Sequence, residues 1–352
     1  MSDNAVSDVL AIDQQLFRAA VADAVRAPSM YNEQPWRFRL VDGRIDVRLD
    51  PDRRLTAADP TGWAARIACG AAITNIRLRL AVSGRSCVVR ILPLGPDDPL
   101  IASITVLGSH TPTPTDHELC SAIPLRHSNR RPFTNSPVPL GIRARLDNLI
   151  ETAGGWLALV DDRVAVARIA ELIASADATL RSNDRYLAEM ATWAARDADA
   201  PIGIPVGSAG VAPATQDLLT MRDYGGPQRP PGRDFETDPL VAVLGTIDDR
   251  PDDDVNGGMM LQTLLLAATA ERLSTSMLSQ PIEVPALRDQ LARVARGSSG
   301  APRAGSGARI GSDPQTGRRL GAAQMVVRIG YGYPTTPSRR RPIDDVIDGP
   351  AS

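Results

Sequence analysis

Gly70-Ala-Ala-Ile-Thr-Asn-Ile76 and Gly258-Met-Met-Leu-Gln-Thr-Leu264 lie over each other without a gap, and that overlay decides how the chain is read. The first stretch belongs to a helix over Ile67–Val82, with Cys69, Ile73, Ile76 and Leu80 on one face. The second belongs to an apolar helix over 257–272. Each is followed by a helix end, a strand that begins at a serine, a helix or loop, and a last strand. Around the first copy, residues 12–26 read as a helix. Trp36–Val41 and Arg44–Leu49 alternate about Asp42-Gly43, a type I′ hairpin. Cys87–Leu92 and Ile101–Leu107 read as strands. Around the second copy come a helix at 142–152, a strand at 156–160, a long helical stretch over 164–195, and strands at 275–278 and 325–329. Residues 109–123, with Thr-Pro-Thr-Pro inside, read as a linker. The simplest account is an α+β chain of two similar halves, 1–122 and 123–352. The competing account is that any two α+β domains share such an order.

Composition narrows the function classes. The chain has 352 residues, 43% hydrophobic and 23% charged, enough for a large core. A net charge of −2 gives no bulk electrostatic case for nucleic acid. All 39 basic residues are arginine, so Schiff-base lysine chemistry and a Walker-type phosphate lysine are excluded. Any anion must be held by arginine forks, backbone N–H groups or hydroxyls. Cys69, Cys87 and Cys120 form no C-x-x-C, and His110, His117 and His127 have no ligand spacing, so no metal is expected and a reducing cytoplasm fits. The acidic start MSDNAVSDVL does not read as a signal peptide, and no apolar run is long enough to span a membrane.

Four segments could carry chemistry. Ala27-Pro-Ser-Met-Tyr-Asn-Glu-Gln-Pro-Trp36 packs a hydroxyl, two amides and two prolines into one loop. It is either a site that aims donors at one place or a polar connector. In Arg126-His-Ser-Asn-Arg-Arg131, Arg126, Ser128 and Arg130 share one side if the backbone is extended, which makes a phosphate cradle or a solvated turn. Ser276-Met-Leu-Ser-Gln280 ends a strand and Arg339-Arg-Arg-Pro342 follows the last one. Asp248–Asp254 reads as a solvated acidic turn. Two Gly-rich stretches do not fit a compact repeat. Residues 200–235 form a candidate lid, and residues 296–319 read as mobile.

Pro28-Ser29, Asn32 and Gln34-Pro35-Trp36-Arg37-Phe38 resemble the P-S-x-x-N-x-Q-P-W-x-F signature of the flavin-dependent nitroreductase family. Arg126-His-Ser-Asn-Arg130 resembles that family's R-x-S-x-[RK] segment. The first half has the loop without the arginine segment, and the second has the arginine segment without the loop. The chain is therefore similar to the single-chain, tandem Acg-like proteins of actinobacteria. The resemblance implies a nitroreductase-like pseudo-dimer within one chain, each half a mainly antiparallel sheet flanked by helices, with one FMN site and no need of a second chain. It implies that Arg126, with Arg339 or Arg341, and Ser128 hold the FMN phosphate. Arg130 would stand near the ring's pyrimidine oxygen. Pro28, Ser29, Met30, Asn32 and Gln34 would approach from the other half, and Met277, Leu278, Ser279 and Gln280 would lie near flavin N5. The implied activity is NAD(P)H-dependent reduction of a small nitroaromatic or quinone-like acceptor. If residues 200–235 close over the flavin, the chain would instead hold FMN and turn it over little.

Overall fold

The computed structural model describes residues 11–194, 196–214, 217–229, 234–298 and 321–349. Helix α1 (Gln14–Ala24) starts at Asp13, whose carboxylate accepts from the Leu16 N–H at 2.8 Å. Strands β1 (Trp36–Val41) and β2 (Arg44–Leu49) pair across Asp42 and Gly43, both at positive φ (49° and 73°), as a type I′ turn demands. Helix α2 (Trp63–Val82) begins a turn earlier than its apolar periodicity suggests. Strands β3 (Arg85–Ile91) and β4 (Leu100–Ser109) complete a sheet in the order β1-β2-β4-β3, with antiparallel neighbours throughout.

The linker reading of 109–123 is corrected. Helix α3 (Pro114–Ala122) occupies most of it. Thr113 and Asp116 form a capping box, and Pro114 sits in the first turn, where its missing N–H costs nothing.

The second half repeats the plan. Helix α4 (Leu140–Thr152) leads into β5 (Trp156–Val160). The helical stretch that follows breaks at Ser182-Asn183 into α5 (Arg163–Arg181) and α6 (Asp184–Trp193), and the Asn183 side chain caps the second. Strand β6 (Leu240–Thr246), which the sequence reading leaves without an element, is buried along its whole length. Then come α7 (Pro251–Ala270), β7 (Ser274–Met277), α8 (Gln280–Glu283), α9 (Pro285–Ser298) and β8 (Ala322–Gly330). The sheet order is β5-β6-β8-β7, again with antiparallel neighbours. The mobile reading of 296–319 falls mostly outside the described residues.

The two halves meet where α2 crosses α7, at the two quoted stretches. A Cβ on Gly70 would lie 2.1 Å from the Val255 carbonyl oxygen, and one on Gly258 would lie 2.0 Å from that of Ile67. Ile67 and Val255 stand at the same offset from their glycines, so the contact is reciprocal about a pseudo-two-fold axis. Only glycine allows backbones this close. The approach exchanges side chains between cores. Val255 of α7 joins the first-half cluster around Ile73, Ile76 and Leu80, while Trp63 and Ile67 of α2 join the second-half cluster. Each fully buried aliphatic chain contributes about 1.5–3 kcal/mol. Polar groups fix the register: Gln262 Nε2 donates to Asn75 Oδ1 at 2.8 Å and Thr74 Oγ1 to the Met259 carbonyl at 3.0 Å.

The acidic turn is also corrected. Pro251–Asp254 form the first turn of α7, where carboxylates favour the helix dipole. Asp253 and Asp254 are buried, and Arg66 of α2 binds Asp254 at 2.8–2.9 Å across the interface. The C-terminal residues return to the first half. The Phe38 N–H donates to the Val346 carbonyl, the Asp348 N–H donates to the Phe38 carbonyl, and Val346 is buried in the first core.

Candidate functional site

Between the halves lies a cleft of two connected chambers, about 430 Å³ and about 60 Å³, sharing Pro28, Ser29, Ser128, Arg130 and Met277 in their walls. The loop after α1 enters from the first half. Tyr31, Asn32 and Gln34 all hold positive φ (52°, 58° and 54°), a conformation that side chains disfavour and that needs outside support. The support is visible. The Gln34 N–H donates to Ser29 Oγ at 3.0 Å. Gln34 Nε2 donates to the Pro201 carbonyl at 2.7 Å, and Gln34 Oε1 accepts from the Arg341 N–H at 2.9 Å. Asn32 Nδ2 donates to the carbonyls of Gly203 and Arg339 at 3.0 and 3.1 Å. Asn32 lines the large chamber and its Oδ1 is buried without a partner, whereas Gln34 lines neither chamber and braces the loop.

The arginine segment enters from the second half, alongside β7. Ser128 bridges Thr275, and the Asn129 N–H donates to the Thr275 carbonyl at 2.8 Å. The extended backbone turns Arg126, Ser128 and Arg130 toward the cleft and Asn129 inward, onto the Tyr333 carbonyl at 2.8 Å.

Arg126 is buried, with one Nη2 bond of 2.9 Å to the Arg26 carbonyl and an Nε without partner. Beside it, Arg340 donates to the carbonyls of Ser338 and Ala27 at 3.0 and 3.2 Å, and its Nε is also unpartnered. Arg130 donates to the Ser208 carbonyl at 2.9 Å. Among the described residues none of the three has a carboxylate partner, and no Asp or Glu lines either chamber. Burial, then Arg340 and Arg130, press the Arg126 guanidinium down to about 9; burial, then Arg26 and Arg130, press Arg340 down to about 10. Burial lowers Arg130 as well. Guanidinium groups stay charged at neutral pH, so burial and mutual repulsion make it costly to hold them together without an anion. Such a wall is made for a dianion that can take several charge-assisted hydrogen bonds.

The three consecutive arginines divide their duties. Arg339 is exposed and reaches Asp199 at 2.5 Å. Arg341 binds Asp50 at 3.2 Å and the Asp345 carbonyl at 2.8 Å. Both line the large chamber, but their charges are spent, and the middle residue carries the free one. Sequence reasoning missed Arg340. Nothing within the run marks it, because Asp199 and Asp50, which take up Arg339 and Arg341, lie far away in sequence.

The small chamber is a slot walled by Met30, Trp63, Ile67, Leu261, Met277 and Met325, from both halves, with Ser128, Arg130 and Ser279 among them. Within 277–280, Met277 and Ser279 line it. Leu278 is core, its N–H bonded to the Val326 carbonyl, and buried Gln280 donates to the Thr220 carbonyl at 3.2 Å.

Residues 196–214 and 217–229 pack down on this end. Ile204, Ala209, Leu219 and Met221 are buried. Tyr224 lines the slot, meets the Tyr31 ring edge-on at 6.1 Å and lies 5.0 Å from the Arg130 guanidinium. Arg222 donates to Tyr31 Oη at 2.9 Å and to Glu283 at 2.6 Å, tying the stretch to the loop and to α8. Burial works against the Arg222 charge, yet Glu283 and Tyr31 hold its affinity for the proton well above normal. Among the described residues no cluster of His, Cys, Asp or Glu could hold a metal, the three cysteines are free, and no helix is long and apolar enough to cross a membrane.

No family model matches the chain. A Mycobacterium tuberculosis protein, acg, named as a proposed NAD(P)H nitroreductase, is 31% identical, with 96% of each chain covered. A second M. tuberculosis protein named in the same way is 28% identical over 96% of this chain and 92% of its own. Among solved structures, a Bacteroides fragilis nitroreductase with bound FMN is 14% identical, with a TM-score of 0.35 over 61% of this chain and 89% of that one. The FMN-dependent nitroreductase NfnB of Mycobacterium smegmatis, in complex with NADPH, is 18% identical, with a TM-score of 0.32 over 62% and 87%.

Proposed function

The chain belongs to the nitroreductase family, and we propose that its cleft holds one FMN and serves an NAD(P)H-dependent oxidoreductase whose acceptors are nitroaromatic or quinone-like molecules. The observation that carries this reading is the wall of guanidinium groups without carboxylates, opening into a slot with apolar side chains from both halves. Arg126 and Arg340 would take the phosphate, with Ser128 donating beside them. The ring system would lie where the two chambers join, with the walls of the slot against it. Arg130 stands where the chambers join, and its charge there would favour the electron-rich form of the ring. When bound, FMN would supply the two-electron chemistry; the chain supplies position and charge.

A second reading is favoured by one feature: Tyr224, from the inserted stretch, forms part of the slot's wall and packs against Tyr31. A cofactor closed in by that wall would be stored rather than cycled. The visible spectrum of the purified protein tests the site, and anaerobic NADPH tests turnover. Bleaching of the flavin band at about 1 s⁻¹ or faster supports the oxidoreductase. Negligible bleaching that becomes rapid in Tyr224→Ala supports storage. A protein that takes up no FMN from solution sinks both.

A further inference from the structure

Arg130 belongs to the arginine segment, yet its guanidinium is held by inserted residues. Its Nη1 donates to the Ser208 carbonyl at 2.9 Å, and Ser208 is fixed in turn, its Oγ donating to the Thr336 carbonyl at 3.2 Å. The guanidinium carbon lies over the Tyr224 ring, 5.0 Å from its centre, and the Tyr31 ring braces Tyr224 edge-on from the first half. The Arg130 backbone is gripped as well. A Cβ on Gly210 would lie 2.8 Å from both the Cβ and the carbonyl oxygen of Arg130, and one on Gly226 would lie 2.4 Å from the Gly210 carbonyl oxygen. Gly210 has a φ of +89°, which glycine adopts without strain. Two arms of the insertion thus close on each other above Arg130, and the Ala212 N–H donates to the Pro227 carbonyl at 2.9 Å beside that closure. The phosphate-end arginines are held otherwise. Arg126 and Arg340 donate to the Arg26 and Ala27 carbonyls of the first half.

A long side chain at the wall of a cavity, with no carboxylate to hold it, has many rotamers open to it. A carbonyl on Nη1 and a ring against the guanidinium narrow that choice and leave Arg130 at the junction of the chambers. We infer that Tyr224 is a positioning residue that sets the reduction potential of the bound flavin through Arg130. This rests on the proposed FMN site. A cation fixed beside the ring favours its electron-rich form, so what fixes the cation keeps the potential up. The aromatic face does so by attracting the guanidinium, and it needs the ring rather than the hydroxyl.

Two measurements test this, one without flavin. In the FMN-free protein labelled with ¹⁵N-arginine, the Arg130 Nε–H resonance is assigned by its loss in Arg130→Met. It should report an ordered side chain in the wild type and in Tyr224→Phe, and a mobile one in Tyr224→Leu. A mobile Arg130 in the wild type would overturn the inference whatever the variants do. In the FMN-loaded proteins, equilibrium titration with dithionite against a reference dye gives the potential. Tyr224→Leu should lose about tenfold in affinity for reduced FMN relative to oxidised FMN, a potential ~30 mV lower for a two-electron couple. Tyr224→Phe should keep the wild-type potential. In an Arg130→Met background the same Tyr224→Leu change should leave the potential where it was. An equal drop in both backgrounds would mean that Tyr224 acts on the flavin without Arg130, and would refute the inference. So would a wild-type potential in Tyr224→Leu. Failure of the wild type to take up FMN would instead refute the proposed function.

Discussion

The two halves share one plan and differ in what they hang on it. Both sheets run in the same order, β1-β2-β4-β3 and β5-β6-β8-β7, and both central helices meet at a glycine. Between its first two strands, however, the first half has only the turn at Asp42 and Gly43, while the second half inserts α5, α6 and residues 194–239. The first half contributes the Pro28–Gln34 loop and the second the Arg126–Arg130 segment. The scaffold is thus repeated and the site is not. Loops borne on a rigid frame decide where chemistry can occur, and one loop of each kind completes one cleft.

The insertion is where the comparison breaks most readily. Arg222 and Glu283 are buried with side chains 6% and 1% exposed, so Arg222→Ala leaves a carboxylate without its counter-charge. The expected cost is about 3–5 kcal/mol. It should appear as early hydrogen exchange and proteolysis in residues 196–229, with the first-half sheet still protected. Uniform loss of protection in both halves would mean that the insertion is part of a shared core. Next in size is Arg126→Ala, which removes a buried cation from the anion wall. At about 1.5–3 kcal/mol per charged hydrogen bond, FMN affinity should fall roughly ten- to a hundredfold. Titration giving wild-type affinity would remove Arg126 from the phosphate site.

The smallest effect probes the seam. Burial, against the pull of Arg66, raises the Asp254 carboxyl to about 6 in the folded chain, above its usual 3.8. The folded state then binds the proton more tightly than the unfolded state. This contribution is full below the unfolded value and is lost as pH rises through the folded one. From pH 7 to pH 5 the wild type should therefore gain about 1 kcal/mol relative to Asp254→Asn. Urea midpoints at both pH values check it, and parallel behaviour of the two proteins would contradict the raised value.

Much of this asymmetry was legible in the sequence, and the exceptions have physical causes. The long helices and the Asp42-Gly43 hairpin announce themselves by period and turn chemistry. Leu240–Thr246 does not, because a strand buried on both faces shows no alternation. Thr-Pro-Thr-Pro reads as a breaker until the capping role of Thr113 is seen, since a proline that stops one helix can start another. Pro251–Asp254 reads as solvated because its partner, Arg66, lies far away in sequence. In the site, alternation within Arg126–Arg130 could be read directly. Which arginine of 339–341 stays free could not, because Asp50 and Asp199 settle that from distant segments.

The central claim is one complete site in a doubled frame. Saturating the protein with FMN, removing unbound flavin and quantifying what denatured protein releases tests it most directly. The account predicts close to one FMN per chain. Two per chain would show that the halves are equivalent after all.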